Sequence, residues 1–336
     1  MAVNVAISGF GRIGRLVLRS IIESKRKDIN VVAINDLAPV DTNAFLLAND
    51  TVHGPLNEKI SVKKNKMTIG RKTISVLNER DPQKLPWKKM KIDVALECTG
   101  LFTSKEKASM HIKAGAKKVL VSAPCSEADK TIVYGVNEQE ITRNDLVVSN
   151  ASCTTNCLAP VVKVLHEKFG IVHGYMTTIH AFTGDQSVLD TFHPDLRRAR
   201  AASMSMIPTS TGAAKAVGLV MPELSGKLDG TAIRVPTPNV SLIDFKFVSK
   251  KTMKVDGVNK AMTAASRSNK LKGILNVNSE PLVSSDFNHN PASSNFDLTQ
   301  TQVIDGKFGR VLSWYDNEWG FSNRMCDTAV AMKRSK

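Results

Sequence analysis

The chain has 336 residues, of which 42% are hydrophobic, and its formal net charge is +15. This length allows two domains with cores of their own, and no run of residues approaches the ~18 apolar positions of a membrane span. We expect no signal peptide, because the apolar pattern of a first strand begins at Val3. The five cysteines, an odd number, favour a reducing compartment such as the cytoplasm over a disulfide framework. No Cys/His spacing is that of a zinc site, so we predict no metal.

The positive charge indicates anionic partners, either phosphorylated small molecules or nucleic acid. Lysines are spread along the chain, with a local excess in residues 63–91 around Trp87. No further aromatic residue is interleaved with these lysines, as it would be in a platform that stacks bases. A basic, solvated surface is therefore the simpler interpretation, and we expect nucleic-acid binding to be secondary at most.

The first half of the chain alternates strand and helix patterns around a glycine-rich turn. The apolar strand Val3–Ser8 leads into Gly9-Phe10-Gly11-Arg12-Ile13-Gly14, which opens a helix running toward Glu23. A second strand at Val31–Ile34 is followed by Asp36, about 20 residues beyond the turn. This order predicts a Rossmann-type domain that binds a dinucleotide, with the pyrophosphate on the glycines and Asp36 accepting from the adenosine ribose hydroxyls. The alternative for Asp36 is an ordinary surface acid after a strand.

Three more buried strands are predicted at Ile92–Leu96, Val119–Val121 and Leu146–Val148. Each ends in small or polar residues, and ligands of open parallel sheets bind just beyond such carboxyl ends. Shorter alternating runs between residues 60 and 76 indicate strands with a solvated outer face.

A cysteine opens the most regular helix pattern of the chain. The run is Ser149-Asn150-Ala151-Ser152-Cys153-Thr154-Thr155-Asn156-Cys157, after which apolar residues recur at steps of three and four until Gly170. Cys153 is therefore predicted in the first turn, where the helix dipole and free N–H groups favour the thiolate and lower the thiol pKa. The alternative is an inert, buried cysteine, which is what we expect of Cys157 one turn further on.

The strands after Cys153 are longer and alternate in hydrophobicity, notably at Val172–Ala181 and Val240–Val248. This pattern predicts that the α/β Rossmann-type domain is followed by an α+β catalytic domain with a largely antiparallel sheet. We place the first domain at residues 1–152 and the second at 153–316. Residues 317–336 are expected to form a helix that packs back on the first domain.

Two further features of the second half carry chemistry. His180 lies in the first of its strands, where a histidine is on general grounds more often structural than catalytic. A long, mixed segment from Phe182 to Pro208 contains Arg197, Arg198 and Arg200. A connection of that length is usually functional.

Taken in order, these motifs resemble the phosphorylating glyceraldehyde-3-phosphate dehydrogenases. The matching segments are Gly9–Gly14, Asn35-Asp36, residues 149–157, residues 180–183, Asp195–Ala201, Thr209–Gly212, Ile233–Asn239 and Trp314–Gly320. The resemblance implies oxidative phosphorylation of glyceraldehyde 3-phosphate to 1,3-bisphosphoglycerate with NAD, in glycolysis or gluconeogenesis. It also implies a homotetramer.

The resemblance implies a role for each matched residue. Cys153 would be the nucleophile, which forms a thiohemiacetal and then a thioester, and His180 its base. The substrate phosphate would lie on Thr183 and Arg234, since guanidinium groups grip phosphate bidentately. Inorganic phosphate would lie on Ser152, Thr154, Arg198, Thr211 and Gly212. The cofactor would lie on Gly9, Gly11, Arg12, Ile13, Gly14, Asp36, Arg80, Ser122 and Asn317.

Several residues have no predicted role in the site, and two alternative functions remain open. Arg197 and Arg200 are expected in surface or subunit salt bridges, and Cys98, Cys125 and Cys326 have no assigned role. Erythrose-4-phosphate dehydrogenase shares the nucleophile and the Rossmann half, although residues 209–215 follow the pattern of the phosphate-using family. From a different class, a nucleotide-binding protein with nucleic-acid or surface-binding activity would also be basic.

One departure from the family pattern concerns cofactor choice. Many NAD-specific relatives carry Leu-Pro where this chain has Thr191-Phe192, in a loop that reaches the adenosine ribose across a subunit contact. A threonine hydroxyl there offers a donor to a 2′-phosphate. Some use of NADP beside NAD is therefore an open expectation.

Overall fold

The computed structural model describes residues 2–335. Met1, the first residue of the predicted domain 1–152, and Lys336, the last of the predicted segment 317–336, lie outside the described residues. The chain divides into two compact units. One comprises the chain up to Ala151 together with the segment from Ser322 onward, and the other is Ser152–Phe321.

Within residues 2–335 the structure forms sixteen strands and nine α-helices. The strands are β1 Val3–Ser8, β2 Ile29–Asn35, β3 Ile60–Lys63, β4 Lys66–Ile69, β5 Lys72–Leu77, β6 Val94–Glu97, β7 Lys118–Val121, β8 Lys130–Thr131, β9 Val147–Ser149, β10 Ile171–Ala181, β11 Ile207–Ser210, β12 Leu228–Val235, β13 Ser241–Ser249, β14 Leu275–Asn278, β15 Ser294–Ile304 and β16 Phe308–Tyr315. The helices are α1 Arg12–Glu23, α2 Val40–Ala48, α3 Trp87–Met90, α4 Lys105–Ala108, α5 Met110–Lys113, α6 Cys153–Phe169, α7 Ala213–Val220, α8 Val255–Ser266 and α9 Trp319–Arg334.

The first unit is built on a nine-stranded sheet with the order β3-β4-β5-β2-β1-β6-β7-β9-β8. From β5 to β8 all neighbours are parallel, whereas β3, β4 and β5 form an antiparallel meander. Strand β6 is buried at every position, as expected for a parallel strand covered on both faces. The predicted Rossmann-type domain is confirmed. The strand order reverses between β1 and β6, so a crevice for ligand opens at their carboxyl ends.

The second unit contains a seven-stranded sheet with the order β11-β12-β10-β13-β16-β15-β14. Four of its pairings are antiparallel, and the pairs β10–β12 and β14–β15 are parallel. Strand β13 alternates strictly between buried and half-buried residues, because one of its faces packs on the core. The predicted, largely antiparallel sheet is therefore confirmed.

The carboxyl-terminal part of α9 packs within the first unit. Cys326 Sγ lies 3.3 Å from Ser20 Oγ of α1. Asp327 binds Arg26 at 2.5 Å, and Lys333 binds Asp93 at 2.7 Å. These contacts tie residues from Ser322 onward to α1 and to connecting segments of the first unit.

The segment that joins β10 to β11 has neither helix nor strand between residues 182 and 206. In the described part of the chain, no helix combines the length and apolarity needed to cross a membrane.

Candidate active site

Cys153 is the first residue of α6, and the residue before it caps the helix. Ser152 has extended backbone, and its Oγ accepts the N–H of Thr155 at 3.1 Å. Such a cap satisfies one of the N–H groups that a helix start leaves without a partner. The thiol therefore lies at the amino end of a 17-residue helix, as the sequence pattern predicts.

The thiol meets an imidazole from the neighbouring sheet. Cys153 Sγ lies 3.5 Å from Nε2 of His180, which is near the end of β10. On the other side of the ring, His180 Nδ1 lies 2.7 Å from the carbonyl of Ala181 and 2.8 Å from Nη1 of Arg234. Arg234 Nη1 also donates to that carbonyl at 3.0 Å and to Thr183 Oγ1 at 3.2 Å, which uses both of its hydrogens and allows Nδ1 to carry a proton that it donates to the carbonyl. That tautomer leaves the Nε2 lone pair facing the thiol, as a general base requires.

The electrostatics of the pair differ from the sequence prediction. Burial raises the pKa of the Cys153 thiol, and the positive charge of Arg234 and hydrogen bonds from Thr154 offset only part of that rise. Burial, followed by the charge of Arg234, lowers the pKa of His180 to about 3. The predicted low thiol pKa is therefore wrong. Desolvation of the thiolate outweighs the charge of Arg234 and the hydrogen bonds, and so favours the thiol form beside a neutral imidazole.

Two guanidinium groups are joined next to this pair by a short polar chain. Arg234 Nη1 donates to Thr183 Oγ1 at 3.2 Å, and the Thr183 hydroxyl donates to Asp185. The other oxygen of Asp185 accepts from Arg198 Nη1 at 2.9 Å. Partial burial pushes the pKa of Asp185 up, but Thr183 and the two arginines bring it below its ordinary value. Arg198 also donates to Thr209 Oγ1 at 3.0 Å. The structure thus brings three predicted phosphate ligands together around one carboxylate.

Two helix amino termini adjoin at the same place. The Thr155 hydroxyl of α6 donates to the carbonyl of Ala213, the first residue of α7, at 3.2 Å. Gly212 is the N-cap of α7, and Thr211 Oγ1 accepts the N–H of Ala213 at 3.2 Å. The positive ends of two helices are therefore close to each other, which favours an anion. The Thr154 hydroxyl, in contrast, is buried and lies 2.8 Å from Tyr315 Oη.

Asn317 is held by a side chain that the sequence reasoning missed. Its Oδ1 accepts the hydroxyl of Ser241 at 2.8 Å, and Ser241 Oγ accepts the N–H of Ala181 at 3.0 Å. Asn317 and Ser241 are both buried. Because Oδ1 is occupied, the Asn317 amide is left to offer its N–H₂ group to a ligand.

Tyr315, Thr178 and Asp185 also belong to the site and were missed. Tyr315 Oη lies 2.9 Å from Thr178 Oγ1, and its ring stands edge-on to His180 with centroids 5.9 Å apart. One signal for Thr178 was available: it precedes His180 by two residues on a strand, so both side chains share one face.

The first unit contains the glycine-rich turn, and its three glycines differ in surroundings. Gly9 has φ +86°, and a Cβ there would lie 2.6 Å from the backbone nitrogen of Thr99. A Cβ on Gly14 would lie 2.1 Å from the carbonyl oxygen of Gly9. Gly11, in contrast, has no heavy atom within 4 Å of its Cβ position. The turn is therefore packed beneath Gly9 and Gly14 and open above Gly11, which fits a pyrophosphate approaching the start of α1.

The other predicted cofactor residues are distributed around this turn. Asp36 Oδ2 accepts the N–H of Phe10 at 2.7 Å, so the acid after β2 is tied to the turn itself. Arg12 Nη1 pairs with Asp50 at 2.5 Å. The N–H of Ser122 donates to the carbonyl of Glu97 at 2.9 Å. Ile13 is half-buried on α1, and Arg80 is exposed.

The other four cysteines are free thiols in less reactive surroundings. Burial raises the pKa of Cys157 and of Cys326 to about 12. It raises the pKa of Cys125 to about 11 and that of Cys98 further still. Among residues 2–335, no group of three or more His, Cys, Asp or Glu side chains is placed to hold a metal ion.

Comparison with known proteins gives matches across the chain. The model of the glyceraldehyde 3-phosphate dehydrogenase NAD binding domain matches residues 3–105, and that of the C-terminal domain matches residues 152–317. A glyceraldehyde-3-phosphate dehydrogenase of Xanthobacter flavus is 64% identical over 332 residues, which is 99% of each chain. Proteins of the same name from Cereibacter sphaeroides and Geobacillus stearothermophilus are 62% and 54% identical, over 99% and 98% of each chain.

Proposed function

The chain belongs to the glyceraldehyde-3-phosphate dehydrogenase family, and from that premise we propose how its residues oxidise and phosphorylate glyceraldehyde 3-phosphate. Cys153 is the nucleophile, and the 3.5 Å contact between its Sγ and His180 Nε2 is the observation that carries the proposal. His180 takes the thiol proton as Sγ bonds to the aldehyde carbon, and returns it to the oxygen of the thiohemiacetal.

His180 then removes the same hydroxyl proton while the hydride leaves, and a thioester on Cys153 results. An oxygen of inorganic phosphate attacks the thioester carbon, and the carbon–sulfur bond breaks with its electron pair on Cys153 Sγ. The thiolate takes the proton back from His180, and the acyl phosphate departs. The lowered pKa of His180 keeps the imidazole neutral, which suits a base. A bound substrate phosphate beside Arg234 offsets the guanidinium charge, so we expect the pKa of His180 to rise toward neutrality in the complex.

The two phosphates are assigned to separate sets of residues. Thr183 and Arg234 hold the substrate phosphate, supported by their 3.2 Å hydrogen bond. The adjoining amino termini of α6 and α7 support a site for inorganic phosphate. Its residues are Ser152, Thr154, Arg198, Thr211 and Gly212. For Thr154 the backbone N–H is the available donor, because its hydroxyl is bonded to Tyr315.

NAD, when bound, accepts the hydride. The open space above Gly11 and the packed backbone at Gly9 and Gly14 support binding of its pyrophosphate. Asn317 offers its N–H₂ group to the nicotinamide carboxamide oxygen, with Ser241 holding its Oδ1. The remaining proposed contacts are Arg12, Ile13, Asp36, Arg80 and Ser122.

Phosphate dependence of turnover tests this assignment. We expect NADH formation from glyceraldehyde 3-phosphate to require inorganic phosphate, and Cys153→Ser to abolish it. Arg198→Leu should raise the KM for phosphate about tenfold or more, with the first burst of NADH retained. Arg200→Leu is the matched control, because its guanidinium pairs with Asp190 at an exposed position. Equal turnover without phosphate would mean that the thioester is simply hydrolysed.

Erythrose 4-phosphate provides the test of the closest rival activity. The three relatives described above all carry the name glyceraldehyde-3-phosphate dehydrogenase. We expect at least about tenfold lower kcat/KM with erythrose 4-phosphate. A higher value would reverse the assignment.

We also propose that the two compact units act as the NAD-binding and catalytic domains of a cytoplasmic homotetramer. Large apolar side chains in the irregular segment after β10 are 71–89% exposed, and such a patch is typical of an association surface. They are Val188, Leu189, Phe192, Leu196, Met204 and Met206. Light scattering should give the mass of four chains.

The five free thiols support a reducing compartment, which cell fractionation tests.

A further inference from the structure

A buried chain of polar side chains ends at the crevice of the nine-stranded sheet. Trp87 Nε1 donates to His111 Nδ1 at 3.0 Å, and His111 Nε2 lies 2.9 Å from Glu97 Oε2. None of the three residues is more than 1% exposed. Because an indole can only donate, His111 Nδ1 is an acceptor. The imidazole proton is therefore on Nε2 and is donated to Glu97.

The other carboxylate oxygen holds the loop that follows β6. Glu97 Oε1 accepts the N–H of Thr99 at 2.7 Å and also its hydroxyl. Thr99 Oγ1 in turn accepts the N–H of Leu101 at 3.0 Å. Glu97 thus fixes this loop through both its backbone and a side chain.

This loop lies directly beneath the glycine-rich turn. The backbone of Thr99 occupies the space where a side chain on Gly9 would be, at 2.6–2.7 Å from the Cβ position. The carbonyl of Glu97 accepts the N–H of Ser122, so Glu97 also borders a second proposed cofactor segment. Glu97 is the last residue of β6 and pairs with Ser8 of β1, and the strand order of the sheet reverses between these two strands.

Stability alone does not account for this arrangement, since a buried polar pair is often no more stabilising than apolar residues of similar volume. We propose that Glu97 and His111 are positioning residues for NAD. They hold the Thr99 loop against Gly9 and so keep the turn in the shape that receives the pyrophosphate. The inference rests on the proposed binding of NAD at that turn, and neither residue takes part in a chemical step.

The fixed tautomer of His111 provides a sharp test. In Glu97→Gln the N–H₂ group of the new amide can face His111 Nε2, which already carries a proton, so two donors would then oppose each other. The proton cannot move to Nδ1, because Nδ1 accepts the indole N–H of Trp87. Trp87→Phe removes that restriction, so in the double variant the imidazole can accept from the amide. We expect the Kd for NAD, measured by calorimetry, to rise about tenfold in Glu97→Gln. It should change less than about twofold in Trp87→Phe and recover to within about threefold of the unmodified value in the double variant.

Controls separate positioning from folding. Circular dichroism and Tm report folding, and the KM values for glyceraldehyde 3-phosphate and phosphate should stay unchanged. If Glu97→Gln does not fold, Thr99→Val removes the hydroxyl bond at the other end, and Thr99→Ser keeps it. An unchanged Kd for NAD in folded Glu97→Gln, or a loss that Trp87→Phe does not rescue, would overturn the inference. Failure of the unmodified protein to bind NAD would instead overturn the proposed function.

Discussion

At the scale of single residues, the chemistry of the site depends on contacts that are remote in sequence. The family resemblance led us to expect Cys153 and His180 side by side, and the structure places Sγ and Nε2 3.5 Å apart. The direction of their pKa shifts could not be predicted, because it depends on how deeply the folded chain buries them and on the charge of Arg234. Asp185 was missed for the same reason, since its partners Thr183 and Arg198 meet only in the fold.

Alkylation tests the assignment of Cys153. Although burial raises its pKa, it is the cysteine that contacts a base, and Arg234 partly stabilises its thiolate. We expect limiting iodoacetamide to modify Cys153 at least about tenfold faster than Cys125, the half-buried alternative with a pKa of about 11. Peptide mapping provides the measurement. His180→Asn should slow the reaction, and labelling of Cys125 first would contradict the assignment.

The buried imidazole of His180 should make the protein acid-sensitive. The unfolded chain binds a proton near the ordinary pKa of 6.5, whereas the folded state resists protonation down to about 3. The neutral ring therefore makes its full contribution to the free energy of unfolding above about pH 6.5. Between pH 6.5 and about 3 that free energy falls by roughly 1 kcal/mol for each unit by which the pH is lowered. Urea unfolding of the unmodified protein and of His180→Asn between pH 7 and about 5 measures the difference. Parallel pH dependences would show that His180 is not buried as a neutral ring.

At the scale of elements, local sequence patterns predicted which strands and helices form, but they predicted less of how the strands pair. The alternation in β13 and the continuous burial of β6 are visible in the sequence, because each reflects the faces of a single strand. The parallel pairs β10–β12 and β14–β15 were not predicted, since pairing depends on partners distant in the chain. The two-residue strand β8 is too short to leave a pattern.

The glycine-rich turn and α1 provide a paired prediction. Gly14→Ala should destabilise the Rossmann unit by several kcal/mol, because its Cβ would overlap the carbonyl of Gly9. Gly11→Ala should leave the Tm within a few degrees, because its Cβ position is open and its φ of −71° suits any residue. Gly11→Ala should nevertheless weaken NAD binding at least about tenfold, since the methyl group takes the space of the pyrophosphate. If folded Gly11→Ala binds NAD as tightly as the unmodified protein, the pyrophosphate does not lie above Gly11.

At the scale of the whole molecule, the charge of +15 and the cofactor preference act at different ranges. A diffuse positive field attracts both dinucleotides, the more highly charged NADP more strongly, and is screened beyond about 10 Å at moderate salt. The local carboxylate of Asp36, fixed to Phe10 at 2.7 Å, repels a 2′-phosphate at short range. The overall charge and the local carboxylate therefore act in opposite directions on the choice of dinucleotide, and we expect the unscreened, short-range effect of Asp36 to dominate.

We expect NAD to exceed NADP by at least about tenfold in kcat/KM, with Asp36→Ala narrowing the gap. Steady-state kinetics with both cofactors at one ionic strength measures this. Thr191→Leu combined with Phe192→Pro restores the pair common in NAD-specific relatives, and it should widen the preference if the loop reaches the ribose. Equal efficiency with NADP in the unmodified enzyme would mean that Thr191-Phe192 outweighs Asp36.

Asp185 gives the candidate site a tethered anion of its own. Held between Thr183 and Arg198, its carboxylate competes for the guanidinium groups at the high effective concentration of an intramolecular partner. A phosphate that binds here therefore displaces the Asp185 carboxylate from its partners. Its net binding free energy is that of the phosphate–guanidinium contacts less that of the carboxylate–guanidinium contacts they replace. The same competitor regains its partners when a phosphate departs, so with the proposed phosphate sites we expect Asp185 to weaken retention of the product.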